Sequence, residues 1–234
     1  MQISEMNWFQ VEARAKFDDR AVLPLGSTEQ HAYLSLAVDA ILAERVAIDA
    51  VGDSGVPVFP TVPYGLAPYF RDYPGTVTLS PNTYNSLVGE ILDGIHASGF
   101  NRILVVNGHG GNSPVLGMLS DWASKRPGVR VRLHNWWNAP RTLAQVHAID
   151  TAASHASWME NFPWTRLKDV AVPDGAKPMV DVDLLRQLSA REIRSQLGDG
   201  NYGGRYQRSD EEMQRIWEVA IAETRELLDN GWAQ

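Results

Sequence analysis

The chain has 234 residues, a net charge of −7 from 21 Lys and Arg against 28 Asp and Glu, no cysteine and 8 tryptophans. That length suits a single domain with a substantial core, and the acidic balance, with no basic stripe, argues against a nucleic-acid partner. Without cysteine there can be neither a disulfide framework nor a thiolate metal site, so any metal must be held by His, Asp or Glu. The start, Met1-Gln2-Ile3-Ser4-Glu5, lacks the basic and apolar regions of a signal peptide. No apolar run is long enough to span a bilayer, so a cytoplasmic protein without a membrane partner is expected.

In chain order, the pattern predicts a first helix from about Glu5 to Phe17 capped by Ser4, then a buried strand over Ala21–Leu25. The polar stretch Gly26-Ser27-Thr28-Glu29-Gln30-His31 follows. A second helix starts near Asp39, with Ile41, Leu42 and Val46 on one face. Val56–Phe59 reads as a short buried strand. The Pro-, Gly- and Tyr-rich stretch from Pro60 to Thr78 is too long for a plain connector and is a candidate functional loop. Ser80-Pro81 opens a helix to about Ser98. Arg102–Val106 is a strand, Pro114–Lys125 a helix and Val129–His134 a strand ending in Asn135-Trp136-Trp137. Helices are expected over Pro140–Ile149 and Ala153–Phe162. Gly198–Gly204 is open as a mobile lid or a plain surface loop. Ser209-Asp210-Glu211-Glu212 has the form of a capping box before a last helix carrying Met213, Ile216, Trp217 and Ala220. This alternation implies an α/β fold, a mostly parallel β-sheet covered by helices on both faces.

The most informative stretch is Asn107-Gly108-His109-Gly110-Gly111-Asn112 at the end of an apolar run. Glycines there suggest that something approaches the main chain closely. The other polar strand end carries Glu29 and His31, which project to the same side if the loop stays extended. In open α/β sheets, ligands collect outside the carboxyl ends of strands. A carboxylate and an imidazole converging there suit Zn, Mn or Fe. Asp39 alone reads as a helix cap or first-turn acid. With Glu29, His31 and His109 it reads as a fourth metal-ligating residue.

Leu23-Pro24-Leu25-Gly26-Ser27-Thr28-Glu29-Gln30-His31 with Asp39, then Tyr73-Pro74-Gly75-Thr76, then the His109 loop, resemble the creatininase (creatinine amidohydrolase) family. The resemblance runs from the first strand to at least Glu160. It implies a creatininase-like α/β fold, a hydrolase with two divalent metal ions per chain (Zn, Mn or Fe), and a homo-oligomer, often a hexamer. By the same resemblance Glu29, Asp39 and His109 hold one metal, and His31 holds the second with Asp39 bridging. Where creatininases proper carry an acidic ligand, this chain has Gly111. Glu160 of His155-Ala156-Ser157-Trp158-Met159-Glu160 is the candidate to replace it. Asn161-Phe162, Ser154 and a short loop between His31 and Asp39 are further departures, and they count against creatinine as the substrate.

The chemistry expected is metal-assisted hydrolysis of a C–N bond in a small polar amide, cyclic amide or formamide. Backbone N–H groups of Gly110 and Gly111 would meet the developing oxyanion. His155 would be the general acid, with Glu160 as metal ligand or proton shuttle. On a regular helix residues five apart do not face each other, so this pair needs an irregular turn. Tyr69 in the aromatic loop and Trp136 are candidate substrate-wall residues, as are Trp137, Trp158 and Trp164, with core packing the other reading of each tryptophan. Arg71 either meets a substrate carboxylate or pairs locally. His134 is either behind the metal site or a core residue. Hydrolytic C–C ring opening of a carbocyclic diketone (inosose-type) would use the same metal site. A phosphate-binding module is the third reading, but the loop is neither Gly-x-Gly-x-x-Gly nor a P-loop.

Overall fold

The computed structural model describes residues 1–232. Its core is a parallel sheet of β1 (Arg20–Leu25), β2 (Arg102–Asn107) and β3 (Arg130–Asn135), in that order across the sheet. Registers run Leu25↔Asn107↔Asn135, so all three strands end at one level. β2 is central and buried on both faces, which is why Ile103-Leu104-Val105-Val106 is a continuous apolar run and not an alternating one.

Alternate side chains feed two separate cores. Val22, Leu104 and Val106 pack with α2 (Val38–Val51) and α8 (Asp210–Asn230). Leu23, Leu25, Ile103 and Val105 pack with α3 (Pro81–Ala97) and α4 (Val115–Ser124). The sheet is therefore α/β with helices on both faces, as the sequence pattern implies. α5 (Pro140–Ile149) joins β3 to the later segments and packs on α8.

Three expectations are corrected. The first helix, α1, covers only Trp8–Phe17, and Asn7 caps it rather than Ser4. Ser4 lies in a separate 3-10 turn over Ile3–Glu5. Val56–Phe59 runs beside β1 but pairs only through isolated bridges at Val58, to Val22 on one side and Gln2 on the other, because Pro57 and Pro60 cannot donate to a continuous ladder. Ala153–Phe162 is not a helix. Ser157 Oγ donates to the Ser154 carbonyl (2.7 Å), the Ser154 N–H returns to Ser157 Oγ (2.9 Å), and Ala156 sits at φ 58°. These local bonds compete with helical ones and leave one 3-10 turn over Trp158–Glu160.

The chain between Pro163 and Arg208 adds β4 (Ala176–Lys177), α6 (Val182–Leu185), α7 (Ala190–Leu197) and β5 (Gly204–Arg205). α7 opens on a Ser189/Glu192 capping box. Among the described residues no helix is long and apolar enough to cross a membrane.

Candidate metal centre

Two loops from the sheet press against the start of α2. A Cβ at Gly26 would stand 2.4 Å from Ala40 Cα, and one at Gly108 would stand 2.2 Å from the Asp39 carbonyl oxygen. Only glycine permits this approach. The result is that Asp39, in the first turn of α2, meets residues from the ends of β1 and β2. Its own helix is capped at Ala37 without any side-chain bond, so Asp39 is not the cap.

Glu29, His31, Asp39 and His109 are all buried. Asp39 divides its carboxylate between the histidines: Oδ1 lies 3.2 Å from His31 Nε2 and Oδ2 3.0 Å from His109 Nδ1. Glu29 Oε2 is 3.2 Å from His109 Nε2, and Glu160 Oε2 is 3.7 Å from His31 Nε2. Potential ligand atoms thus gather in overlapping sets, Glu29–Asp39–His109 and His31–Asp39–Glu160, with a further set, Glu29–His31–His155, beside them.

The donor set fits divalent metal. Glu29 Oε1 is buried without any hydrogen-bond partner, and His31 Nε2 and Asp39 Oδ2 meet only ionic neighbours within the cluster and make no well-angled hydrogen bond. Orphaned atoms of this kind are costly unless something binds them. The outer bonds also free the right nitrogens. His31 Nδ1 lies 3.2 Å from the Glu29 carbonyl and His109 Nε2 lies 3.0 Å from the Leu66 carbonyl, so each ring donates outward and keeps its other nitrogen for the centre. Ser27 Oγ donates to Glu29 Oε2 at 2.9 Å.

Electrostatics without metal follow from this crowding. Burial works against charge on His31, but Asp39, Glu160 and Glu29 outweigh it and raise the ring to about 10. Burial opposes charge on His109 too, yet Glu29 and Asp39 raise it to about 9. Burial would raise Asp39, but His31 and His109 hold it well below the usual carboxylate range. Burial pushes Glu29 and Glu160 up to about 7 each. His155 is driven far down, first by burial and then by His31.

A cavity of about 670 Å³ opens over these groups. Glu29, Asp39, His109, His155 and Glu160 face it, and Gly110, Gly111, Tyr69, Phe70 and Trp137 line it. The turn at Trp158–Glu160 is what lets His155 and Glu160 reach one cavity. Trp136 does not reach it. Its ring packs between Phe162 and Trp217 in the core, because the 3-10 turn after β3 points the two adjacent indoles apart, and Trp137 takes the wall position. Trp158 is likewise fully buried. His134 bonds to Thr224 Oγ1 at 2.9 Å, away from the centre. Gly111 has no space for a ligating side chain. Its Cβ would stand 2.1 Å from the Leu66 carbonyl and 2.3 Å from His109 Nε2. Sequence reasoning missed Ser27 and Leu66 behind the ligands, and α6 and α7, whose Leu185 and Ile193 close the cavity's outer side. The Ser189-x-x-Glu192 spacing was a readable signal for α7.

The sequence matches the family described as "Creatininase: Creatinine amidohydrolase" over residues 4–228. The chain belongs to the creatininase family of metal-dependent hydrolases. It is 28% identical over 205 residues to the 3-dehydro-scyllo-inosose hydrolase of Thermotoga maritima, covering 80% of this chain and 66% of that protein. It is 39% identical over 103 residues to the mycofactocin precursor peptide peptidase of Mycolicibacterium smegmatis, 41% of each chain. A creatinine amidohydrolase of Pseudomonas putida is 30% identical over 118 residues, 47% of this chain and 45% of that one. The matched stretches therefore span less than two thirds of each of these relatives. A crystal structure of creatinine amidohydrolase superposes with a TM-score of 0.80 at 21% identity, covering 100% of this chain and 98% of that one, and a manganese form of creatininase with 0.79. This establishes the creatininase fold.

Proposed function

We propose that this chain hydrolyses the C–N bond of an amide, cyclic amide or formamide at a centre of two divalent ions. The observation that carries this reading is Asp39, whose two oxygens face different histidines at 3.2 and 3.0 Å, as a bridging carboxylate would. Glu29, Asp39 and the Nδ1 of His109 would hold one ion. The Nε2 of His31, Asp39 and Glu160 would hold the other, Glu160 taking the place for which Gly111 has no room. Ions there would polarise a carbonyl oxygen and bring a water toward ionisation near neutral pH.

The chain's own residues do the rest. Gly110 and Gly111 line the cavity, and their backbone N–H groups would meet negative charge developing on the carbonyl oxygen. Glu160 faces the same cavity, and an oxygen of its carboxylate not engaged with the ion would be the group to pass a proton to the leaving nitrogen. His155 and Tyr69 face the substrate side, and apolar Leu66, Phe70 and Leu143 exclude bulk water. A second reading, C–C ring opening of a cyclic diketone, draws support from the inosose hydrolase, which aligns over more of this chain than the other two relatives. Assembly as a homo-oligomer, hexameric by family resemblance, belongs to the same proposal.

The test begins with elemental mass spectrometry of protein purified without chelator. Uptake of one to two Zn, Mn or Fe per chain supports the centre. Hydrolysis of creatinine, formamides, cyclic diketones and short peptides is then screened, since the cavity volume admits far more than creatinine. A protein that carries no metal and takes up none on addition would sink the reading.

A further inference from the structure

His155 stands within ligand distance of Glu29 and His31, faces the cavity, and has three conceivable roles: metal ligand, acid or neutral donor. Its Nε2 decides among them. That atom lies 2.8 Å from Gln30 Nε2 and 3.2 Å from the Gln30 carbonyl oxygen. The first partner brings a proton and the second asks for one.

The orientation of the Gln30 amide is fixed independently of His155. Its Oε1 accepts from the Ala32 N–H at 3.1 Å, and its Nε2 donates to the Gly200 carbonyl at 3.2 Å. Turning the amide over would set two oxygens together at Gly200 and two N–H groups together at Ala32. Space reinforces this. Gly200 sits at φ 97°, and a Cβ there would fall 1.7 Å from Gln30 Oε1, so the segment closes on the amide as only glycine can. The same segment holds the His155 backbone, because the Tyr202 N–H donates to the His155 carbonyl at 3.1 Å. The Phe70 ring stacks on the imidazole with centroids 4.7 Å apart.

The second amide hydrogen of Gln30 therefore points at His155 Nε2 at 2.8 Å, and a proton on Nε2 would oppose it. We propose that Gln30 is a positioning residue that keeps Nε2 of His155 bare, making His155 a neutral hydrogen-bond donor through Nδ1. A protonated Nδ1 cannot ligate a metal, so Glu29–His31–His155 is not a metal set. A neutral imidazole giving up its last N–H would become an imidazolate, so His155 is not the acid of the reaction either. Its Nδ1–H, 3.9 Å from the orphaned Glu29 Oε1, is left to orient or polarise a substrate oxygen. This assignment rests on the hydrolytic reading above only for what the N–H is used for.

The test is nitrogen-15 NMR of histidine-labelled, zinc-loaded full-length protein, with His155→Asn identifying the resonances. The expected result is a protonated Nδ1 and a bare, hydrogen-bonded Nε2. An Nε2–H tautomer, a doubly protonated ring or a zinc-shifted Nδ1 would each overturn the assignment. In Gln30→Met the donor is gone and Nε2 is free to donate to the Gln30 carbonyl, so the tautomer should invert. Gln30→Glu should invert it as well. A Gln30→Met spectrum unchanged from the parent would also overturn the positioning role. Should either variant fail to fold, the parent spectrum decides alone. If the chain takes up no zinc, the hydrolase reading fails, while the metal-free spectrum still reads the tautomer.

Discussion

The two halves of the candidate centre are built in opposite ways. Glu29, His31, Asp39 and His109 stand at the ends of β1 and β2 and the start of α2, elements with continuous cores behind them. His155 and Glu160 stand in a non-helical segment held by Ser154–Ser157 bonds and clasped from outside by residues 200–203. The first half is placed by regular secondary structure, the second by side-chain bonds across long sequence separations. What this teaches is that a rigid half would fix the metal ligands while a clasped half, held by bonds from elsewhere in the chain, would meet the substrate.

The largest effect should come from Asp39, the residue shared by both candidate ligand sets. Asp39→Ala is expected to abolish metal uptake and all activity above background, read by elemental analysis and turnover. Without metal, Asp39 is the counter-charge that helps keep His31 and His109 protonated, so its loss should also lower the stability of the metal-free fold. Retention of both metals would break the bridging assignment. Glu160→Gln touches only the clasped half. One ion per chain should remain, with turnover down by about a hundredfold or more; an unchanged count of two ions would exclude Glu160 as a ligand.

Proton release separates the halves further. Without metal, His31 and His109 are raised to about 10 and about 9, so both rings carry an extra proton at neutral pH. Zinc binding must expel those protons. Calorimetry in buffers of differing ionisation enthalpy should report roughly two released protons from the histidines, plus any from Glu29 and Glu160. Zero release would mean either that these rings are neutral without metal or that they do not bind the ions.

The smallest effect serves as a control outside the centre. Burial lowers His134 to about 4, with Glu223 opposing. Its folded value lies below the unfolded one, about 6.5, so the folded state binds fewer protons. Stability is then full above about 6.5 and falls as pH drops toward 4. Against His134→Asn, the parent should lose an extra ~1 kcal/mol per pH unit across that window. Parallel curves from chemical denaturation would show that His134 does not titrate as its burial implies.

Much of the rigid half was legible from the residues alone. An apolar run followed by glycines and a histidine marks a buried strand delivering a polar group, and β1 and β2 lie within a residue of their expected ends. The short strand at Val56 is reduced to isolated bridges at Val58, because Pro57 and Pro60 remove ladder donors. The clasped half was harder. Ala153–Phe162 has helical composition, but the serine hydroxyls bind the backbone instead, and that competition is decided by what packs around it. Trp136 and Trp137 differ by one position in a turn, which sets one in the core and the other on the cavity wall.

By itself the sequence determined the α/β order, the creatininase resemblance, and that any metal here is held by His, Asp and Glu, since periodicity and residue chemistry are local properties. Only the tertiary structure decided that Asp39 turns one oxygen to each histidine, that Gly111 has no room for a ligand, and that Gln30 lies against His155. Each of these depends on contacts between segments tens to more than a hundred residues apart, where distance and hydrogen-bond direction are set by the packing of the whole chain.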